Sequence, residues 1–197
     1  MRHFLYFSSQ AVTSGKFLSG EKNLMRAGRI DIATHFVIHS LFLSHAYREN
    51  VKVHLIFYGP PDPPKHIEIQ MNESLDLSKK DIGNLIKKLL YKYKEGEKTE
   101  VLPGCFIEKK SFLNFINEMI EEKNRIFVLD KRGKDIRNVT IPKKSVFIIG
   151  DHNGLPKKEL KRLKNITTKV SLGPKTYFAS QAVTILNNEL DRREIEN

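Results

Sequence analysis

Three strand-like runs in the last third of the chain each end in a loop that contains glycine. They are Val128-Leu129-Asp130-Lys131-Arg132-Gly133, Ile149-Gly150-Asp151-His152-Asn153-Gly154-Leu155-Pro156 and Val170-Ser171-Leu172-Gly173-Pro174. In parallel sheets ligands bind just outside the carboxyl ends of strands, and glycine lets main chain approach a planar ligand closely. Any one of these glycines could serve only a tight turn; the three together point to a single pocket. Asp62 stands apart, pinned in Gly59-Pro60-Pro61-Asp62-Pro63-Pro64. A carboxylate on so stiff a loop is preorganised, and ordinary turns rarely need proline on both sides. Arg29 and Asp31 sit where a long loop enters a helix, a placement that a local ion pair would explain.

Other signals dissolve on inspection. Thr13-Ser14-Gly15-Lys16-Phe17 has the look of a phosphate loop, but Gln10 stands where the first glycine should be and Phe17 replaces the hydroxyl residue. His35 and His39 lie one helical turn apart, yet Phe36 occupies the Glu position of the zinc-hydrolase motif and no third ligand is evident. They read as packing or interface histidines, and no metal is expected.

The elements that must position these residues alternate. Phe4 to Phe7 reads as a strand, followed by a long loop marked by Ser14, Gly15, Ser19 and Gly20. Apolar spacing predicts a helix from Ile30 to Tyr47, with Asp31 in its first turn. Strands follow at Val51 to Tyr58 and His66 to Met71, then an amphipathic helix from Lys79 to Lys94 with a lysine-rich outer side. Val101 to Glu108 reads as short extended structure, and Ser111 caps a helix over Phe112 to Glu122. Strands at Ile126 to Leu129, Ser145 to Ile149 and Ile166 to Val170, a short helix at Lys157 to Leu163 and a long one from Tyr177 to Arg193 complete the pattern. It predicts an α/β fold with a mostly parallel sheet. The apolar stripe Ala179, Ala182, Val183, Leu186 and Leu190 on the last helix is accounted for by packing.

The 197 residues suit one domain, and 40% hydrophobic content suffices for one core. Lys and Arg number 34 against 23 Asp and Glu, a formal charge of +11, which favours a polyanionic partner and nucleic acid over membrane. Cys105 is the only cysteine, so no internal disulfide can form and a reducing compartment, the cytoplasm, is expected. The opening MRHFLYFSSQ breaks too soon for a signal peptide, and no run of ~18 apolar residues offers a membrane span.

The stretches IIGDHNGLP and SLGPKTYFASQAVTILNNELDR resemble the cofactor-binding segments of the SPOUT superfamily of RNA methyltransferases, and RAGRIDI with LIFYGPPDPP narrows the match. From end to end the chain resembles the archaeal tRNA pseudouridine-54 N1-methyltransferase family. The resemblance implies helices on both faces of the sheet and a C-terminal segment threaded as a trefoil knot. It also implies a homodimer and one SPOUT-type domain over residues 1–197. S-adenosylmethionine would be the methyl donor and tRNA the substrate, with methyl transfer to N1 of pseudouridine in the T-loop. Leu129, Gly150, Asp151, Leu172, Gly173, Pro174 and Tyr177 would then bind the cofactor, main-chain groups pairing with adenine edges while apolar side chains cover its faces. Arg29 and Asp31 would face the substrate, Arg29 as a phosphate or base contact.

Such a reaction needs the donor in line with the ring nitrogen and a route for the N1 proton. Asp62 is the candidate base. Asp151 and His152 compete for that role, although Asp151 could instead hold its loop by accepting backbone hydrogen bonds. Two further readings are a related enzyme acting on pseudouridine in ribosomal RNA and a non-catalytic RNA-binding assembly factor; the intact Gly150-Asp151 and Gly173-Pro174 loops speak against the latter.

Overall fold

Strand β1 (Arg2–Ser8) is buried along its whole length because its side chains alternate between two apolar layers, Phe4 and Tyr6 in one, Leu5 and Phe7 in the other. The computed structural model describes residues 1–18, 23–75 and 77–195; the expected turn at Ser19 and Gly20 lies outside them. Around β1 the sheet adds β2 (Val51–Phe57), β3 (Lys65–Gln70), β4 (Thr99–Leu102), β5 (Cys105–Glu108), β6 (Arg125–Asp135), β7 (Ser145–Gly150) and β8 (Thr167–Ser171). The order across it is β4-β5-β3-β2-β1-β7-β6-β8. The run from β2 to β8 is parallel, and β3, β5 and β4 form an antiparallel wing beyond β2.

Helices α1 (Asn23–Arg26), α2 (Ile30–Leu41), α3 (Ile82–Lys92), α4 (Phe112–Glu121), α5 (Lys157–Leu163) and α6 (Ala179–Ile195) connect the strands. α2, α3 and α6 cover the Phe4 and Tyr6 face, while α4 and α5 cover the other, so helices lie on both faces as expected. The stripe of α6 is spent inside the chain: Val183 and Leu186 are fully buried, and the helix packs along α2. Asp191 fixes its far end, accepting from Arg2 at 2.7 Å and from both Arg48 nitrogens at 2.7 and 2.6 Å. Buried Asn187 adds a bond to the Ser40 carbonyl.

Three expectations are corrected. The helix from Ile30 stops at Leu41 instead of Tyr47, because Phe42 turns extended and bridges antiparallel to Tyr47. Apolar spacing continues through that segment for the sake of burial, without helical backbone. The stretch from Val101 to Glu108 is extended as expected but in two pieces, the end of β4 and the whole of β5, joined by a hairpin turn at Pro103-Gly104, with Gly104 at φ 77 where a type II turn demands a left-handed residue. Strand β6 reaches Asp135, well past Leu129.

The wing is joined to the parallel half by a chain of buried imidazoles. His3 Nδ1 lies 3.0 Å from His54 Nε2, His54 Nδ1 lies 3.0 Å from His66 Nε2, and His66 Nδ1 lies 3.0 Å from Glu108. The Glu108 carboxylate can only accept, so His66 Nδ1 donates to it and every Nδ1 up the chain donates in turn. Burial holds all three rings neutral, His3 down to about 4 and His54 and His66 also below the ordinary value. Cys105, on the same wing, is buried and its thiol is pushed up to about 12 by burial and by the carboxylates of Glu100 and Glu68.

These histidines bind protons in the unfolded chain before they do in the fold. Their contribution is therefore complete above pH 6.5 and is lost as pH falls from there toward about 4. A single such ring costs about 1.4 kcal/mol per pH unit. Urea unfolding is expected to show at least about 2 kcal/mol less stability at pH 5 than at pH 6.5; a flat profile would contradict neutral rings.

Candidate active site at the strand ends

The parallel strands point the same way, so their carboxyl ends share one edge of the sheet. On that edge β6 and β7 pair as far as Val128 and Ile148 and then part. β6 stays with β8 through Leu129 and Val170, and pairs again with Val170 at Lys134, so residues 130–133 bulge out of the strand between the two pairings. Gly133 permits this: a Cβ there would lie 2.5 Å from the Val170 nitrogen. The gap is a cleft of about 660 Å³, in the size range of small-molecule sites.

Leu129, Gly150, Asp151, Leu172, Gly173 and Tyr177 all line the cleft, whereas Pro174 does not. Residues not assigned to the cofactor from the sequence complete it: Ile32 from the start of α2, Leu155 from the loop after β7, Leu160 from α5, Lys131 and Lys175 as cations, and Phe178, which is 77% exposed beside the opening. A Cβ on Gly150 would come within 2.7 Å of the Gly154 backbone, so the loop after β7 folds back directly over residue 150. Gly173 has φ 136, a conformation side chains rarely adopt.

Asp151 locks this loop to its neighbour. Its Oδ2 accepts from Ser8 Oγ at 3.0 Å, Ser9 N at 2.8 Å and Ser9 Oγ at 3.1 Å; its Oδ1 accepts from Asn153 N at 2.8 Å. The loops leaving β1 and β7 thus share one buried carboxylate. The serines carried no motif, and only their position just past a strand could have marked them. His152 is exposed on the same turn.

Arg29 and Asp31 meet as a bidentate pair, Nε to Oδ1 and Nη2 to Oδ2, both at 3.0 Å. Arg29 stands in the left-handed region at φ 64, following Gly28 at φ 71, and a Cβ on Gly28 would strike the Gln10 carbonyl at 1.8 Å. The strained entry presses the α2 start against the β1 loop and leaves the Arg29 side chain 42% exposed, three residues from Ile32 in the cleft wall. Neither Arg29 nor Asp31 lines the cleft itself. Beneath this corner the Tyr6 hydroxyl is fully buried without a well-formed hydrogen bond, and burial together with the carboxylates of Asp151 and Asp31 raises its pKa.

Asp62 is on the same edge, beyond β2, and does not line the cleft. Its backbone nitrogen donates to Thr13 Oγ1 at 2.9 Å, which ties the proline loop to the β1 loop. Its carboxylate accepts from Lys109 and, at 2.6 Å, from Lys65. Lys109 and then Lys65 hold the carboxyl below its usual range. Lys65 is itself fully buried, its ammonium 3.9 Å from the centre of the Tyr93 ring, and burial lowers its pKa.

An α/β sheet with a glycine-lined cleft at its parallel strand ends, bordered by cations, has the form of a site for a flat nucleoside-like ligand. Residues 1–195 match the family model described as "Putative SAM-dependent RNA methyltransferase", and the chain belongs to that family. It is 35% identical over 203 residues to the tRNA (pseudouridine(54)-N(1))-methyltransferase of Pyrococcus abyssi, covering 98% of each chain. To the enzyme of that name from Methanocaldococcus jannaschii it is 33% identical over 208 residues, covering 99% of this chain and 98% of the relative. Among solved structures, Archaeoglobus fulgidus Nep1 bound to S-adenosylhomocysteine shares the fold, with a TM-score of 0.60, 15% identity and 96% of each chain covered. Among the described residues no helix is long and apolar enough to cross a membrane, and no group of three His, Cys, Asp or Glu side chains could hold a metal.

The cleft fits S-adenosylmethionine. Leucines at 129 and 172 flank backbone that a side chain at 150 would displace, and the volume accommodates a nucleoside with an amino-acid tail. Gly150→Val, which must push the 151–154 loop away, and Gly173→Ala, strained by about 1–3 kcal/mol, are each expected to weaken S-adenosylmethionine at least about tenfold by calorimetry while far-ultraviolet circular dichroism is unchanged. Wild-type affinity in both variants would place the ligand elsewhere.

Proposed function

We propose that this chain methylates N1 of pseudouridine 54 in the T-loop of tRNA, using S-adenosylmethionine. The reading is carried by the cleft where β6 and β7 part, held open by Asp151 and Gly133, in a chain that matches the relatives of that activity along its whole length.

When bound, the cofactor supplies a methyl group on a sulfonium, an electrophile that needs alignment more than activation. Leu129, Gly150, Leu172 and Gly173 hold it, and Tyr177 closes the wall next to Gly173; Asp151 acts as a positioning residue by fixing the turn over residue 150, and Pro174 acts by stiffening the turn from outside. Arg29, set at the mouth by its pair with Asp31, meets an RNA phosphate or base edge, and Asp31 keeps the guanidinium plane oriented. Pseudouridine N1 is an imide-like NH, mostly protonated at neutral pH, so moving the methyl from sulfur to N1, which would break the sulfur–carbon bond and leave a neutral thioether, requires the N1 proton to leave. Asp62 is ionised, half-exposed and preorganised to accept it and pass it to water. The two lysines weaken Asp62 as a base, and this favours a second reading: the proline loop docks the RNA and the proton goes directly to solvent.

Residues 1–197 form one SPOUT-type domain in this reading. The end-to-end resemblance to the SPOUT superfamily, together with the fold shared with Nep1, supports a C-terminal trefoil knot. Exposed Phe178 beside the cleft supports a homodimer in which a second copy covers that wall. Action on tRNA supports a cytoplasmic location.

The central experiment compares tRNA carrying pseudouridine at position 54 with the same tRNA carrying uridine. Methyl transfer to the first and none to the second is expected; equal labelling, or none, overturns the reading. In single turnover at saturating tRNA, Asp62→Asn is expected to lose ~10² to 10⁴ in rate if its carboxylate takes the proton. A rate within about threefold of wild type, with a raised KM, assigns Asp62 to docking instead. Light scattering at micromolar concentration should give twice the chain mass of 22.8 kDa, and a solution of single chains would remove the dimer.

A further inference from the structure

The edge that carries the cleft continues past β1 to a second surface. The loop after β1 leads into a short 3-10 turn, Gly15–Phe17, capped by Ser14, and this turn lies on the last turns of α3. Gly15 makes the contact possible: a Cβ there would stand 2.4 Å from the Tyr91 ring and 2.7 Å from the Lys87 carbonyl. Thr13 anchors the segment by donating from its nitrogen to Pro60 and from its hydroxyl to Gly59. A rigid platform results, and two large aromatic side chains sit on it in solvent, Phe17 at 56% exposure and Tyr91 at 52%.

Lysines surround these rings. Lys16, Lys88 and Lys92 are exposed, and the Lys87 ammonium lies 6.0 Å from the centre of the Tyr91 ring. Neither 8–18 nor 82–94 contains an acidic residue, and among the described residues none of these four lysines is paired with a carboxylate. Two solvent-facing π-surfaces inside an uncompensated field of four cations match the way proteins hold unpaired nucleotides, with bases stacking on rings and phosphates meeting ammonium groups. The platform shares the cleft's edge because the loops that build it leave β1 and β2 at their carboxyl ends. β7 and β2 flank β1, so the strands whose loops feed the two sites lie about 10 Å apart.

We propose that Phe17 and Tyr91, with Lys16, Lys87, Lys88 and Lys92, form a second RNA contact that grips an unpaired stretch of the substrate away from the methylated base. The inference rests on the proposed action on tRNA. It makes the platform a determinant of RNA affinity, distinct from the residues around the methyl donor.

The test measures binding and turnover separately, using the full chain and pseudouridine-containing tRNA. Three variants are compared: Phe17→Ala with Tyr91→Ala, Lys87→Glu with Lys88→Glu, and as a charge-matched control Lys143→Glu with Lys144→Glu at the opposite end of the sheet. In fluorescence anisotropy the aromatic pair should weaken tRNA at least about fivefold. The Lys87 and Lys88 reversal should weaken it at least about tenfold and flatten the slope of log affinity against log salt by about 1 to 2. kcat at saturating tRNA should remain within about twofold of wild type while KM rises with the binding loss. S-adenosylmethionine affinity by calorimetry should be unchanged in all three. The proposal is overturned if the platform variants bind tRNA no worse than the control, or if the aromatic pair alters binding to anionic phospholipid vesicles and leaves tRNA binding intact. A wild-type chain that binds tRNA without methylating it would overturn the proposed reaction alone, since the platform is read from binding. One that binds no tRNA overturns both.

Discussion

One carboxylate sets the geometry of the active edge. Asp151 leaves β7 where that strand loses contact with β6, and there it collects two serine hydroxyls and two backbone N–H groups. A charge buried to this degree is tolerable only when its lone pairs are satisfied. The requirement therefore runs both ways: the loops leaving β1 and β7 must stay together to solvate the charge, and the charge fixes where they stand. The turn over Gly150, the strained entry to α2 and the seat of Thr13 against the proline loop all depend on the path that Ser8 and Ser9 take. Hydrogen bonds to a charged group contribute about 1.5–3 kcal/mol each, so the joint is among the stiffest elements near the cleft.

The two halves of the sheet carry different duties. The parallel run supplies the cleft, because only there do neighbouring strands end together and part. The antiparallel wing supplies rigidity and charge: its imidazole chain crosses β1, β2 and β3 to reach β5, and its lysines at 65 and 109 engage the Asp62 loop. Burying Lys65 costs desolvation, which the Asp62 carboxylate, the Asp62 carbonyl and the Tyr93 ring together offset. The proline loop is thus braced from below as well as by its own stiffness.

Much of this was legible in the residues, for reasons that differ by element. The parallel strands announce themselves as continuous apolar runs because both their faces are covered, and six of the seven residues expected around the cofactor line the cleft because strand-end loops with glycine leave backbone few other uses. Apolar spacing carries the expected helix on to Tyr47, past the end of α2 at Leu41, because burial and helical spacing look alike over Phe42 to Tyr47. In the antiparallel wing the strand at His66 to Met71 and the extended stretch at Val101 to Glu108 are legible, while their antiparallel pairing and the hairpin at Pro103-Gly104 are not, because strands this short carry no signal of their partner. That Asp151 holds its own loop by accepting backbone hydrogen bonds is readable beside Gly150, and Asn153 N makes such a bond; its link to β1 was out of reach, since Ser8 and Asp151 are 143 positions apart and nothing in either's neighbourhood names the other. The lysine grip on Asp62 was equally hidden: Lys65 reads as a surface residue by composition, and only the fold puts it under a ring.

The lone thiol has a practical side. Cys105 is walled off on β5 and stays protonated far above neutrality, so it is a poor nucleophile toward maleimides and iodoacetamides. The chain therefore offers a silent background for site-directed dyes and spin labels. A cysteine introduced on the exposed rim near Phe178, and another on the 3-10 turn at Lys16, would each react alone, and the separation between them could be followed optically as RNA arrives without first engineering the native residue away.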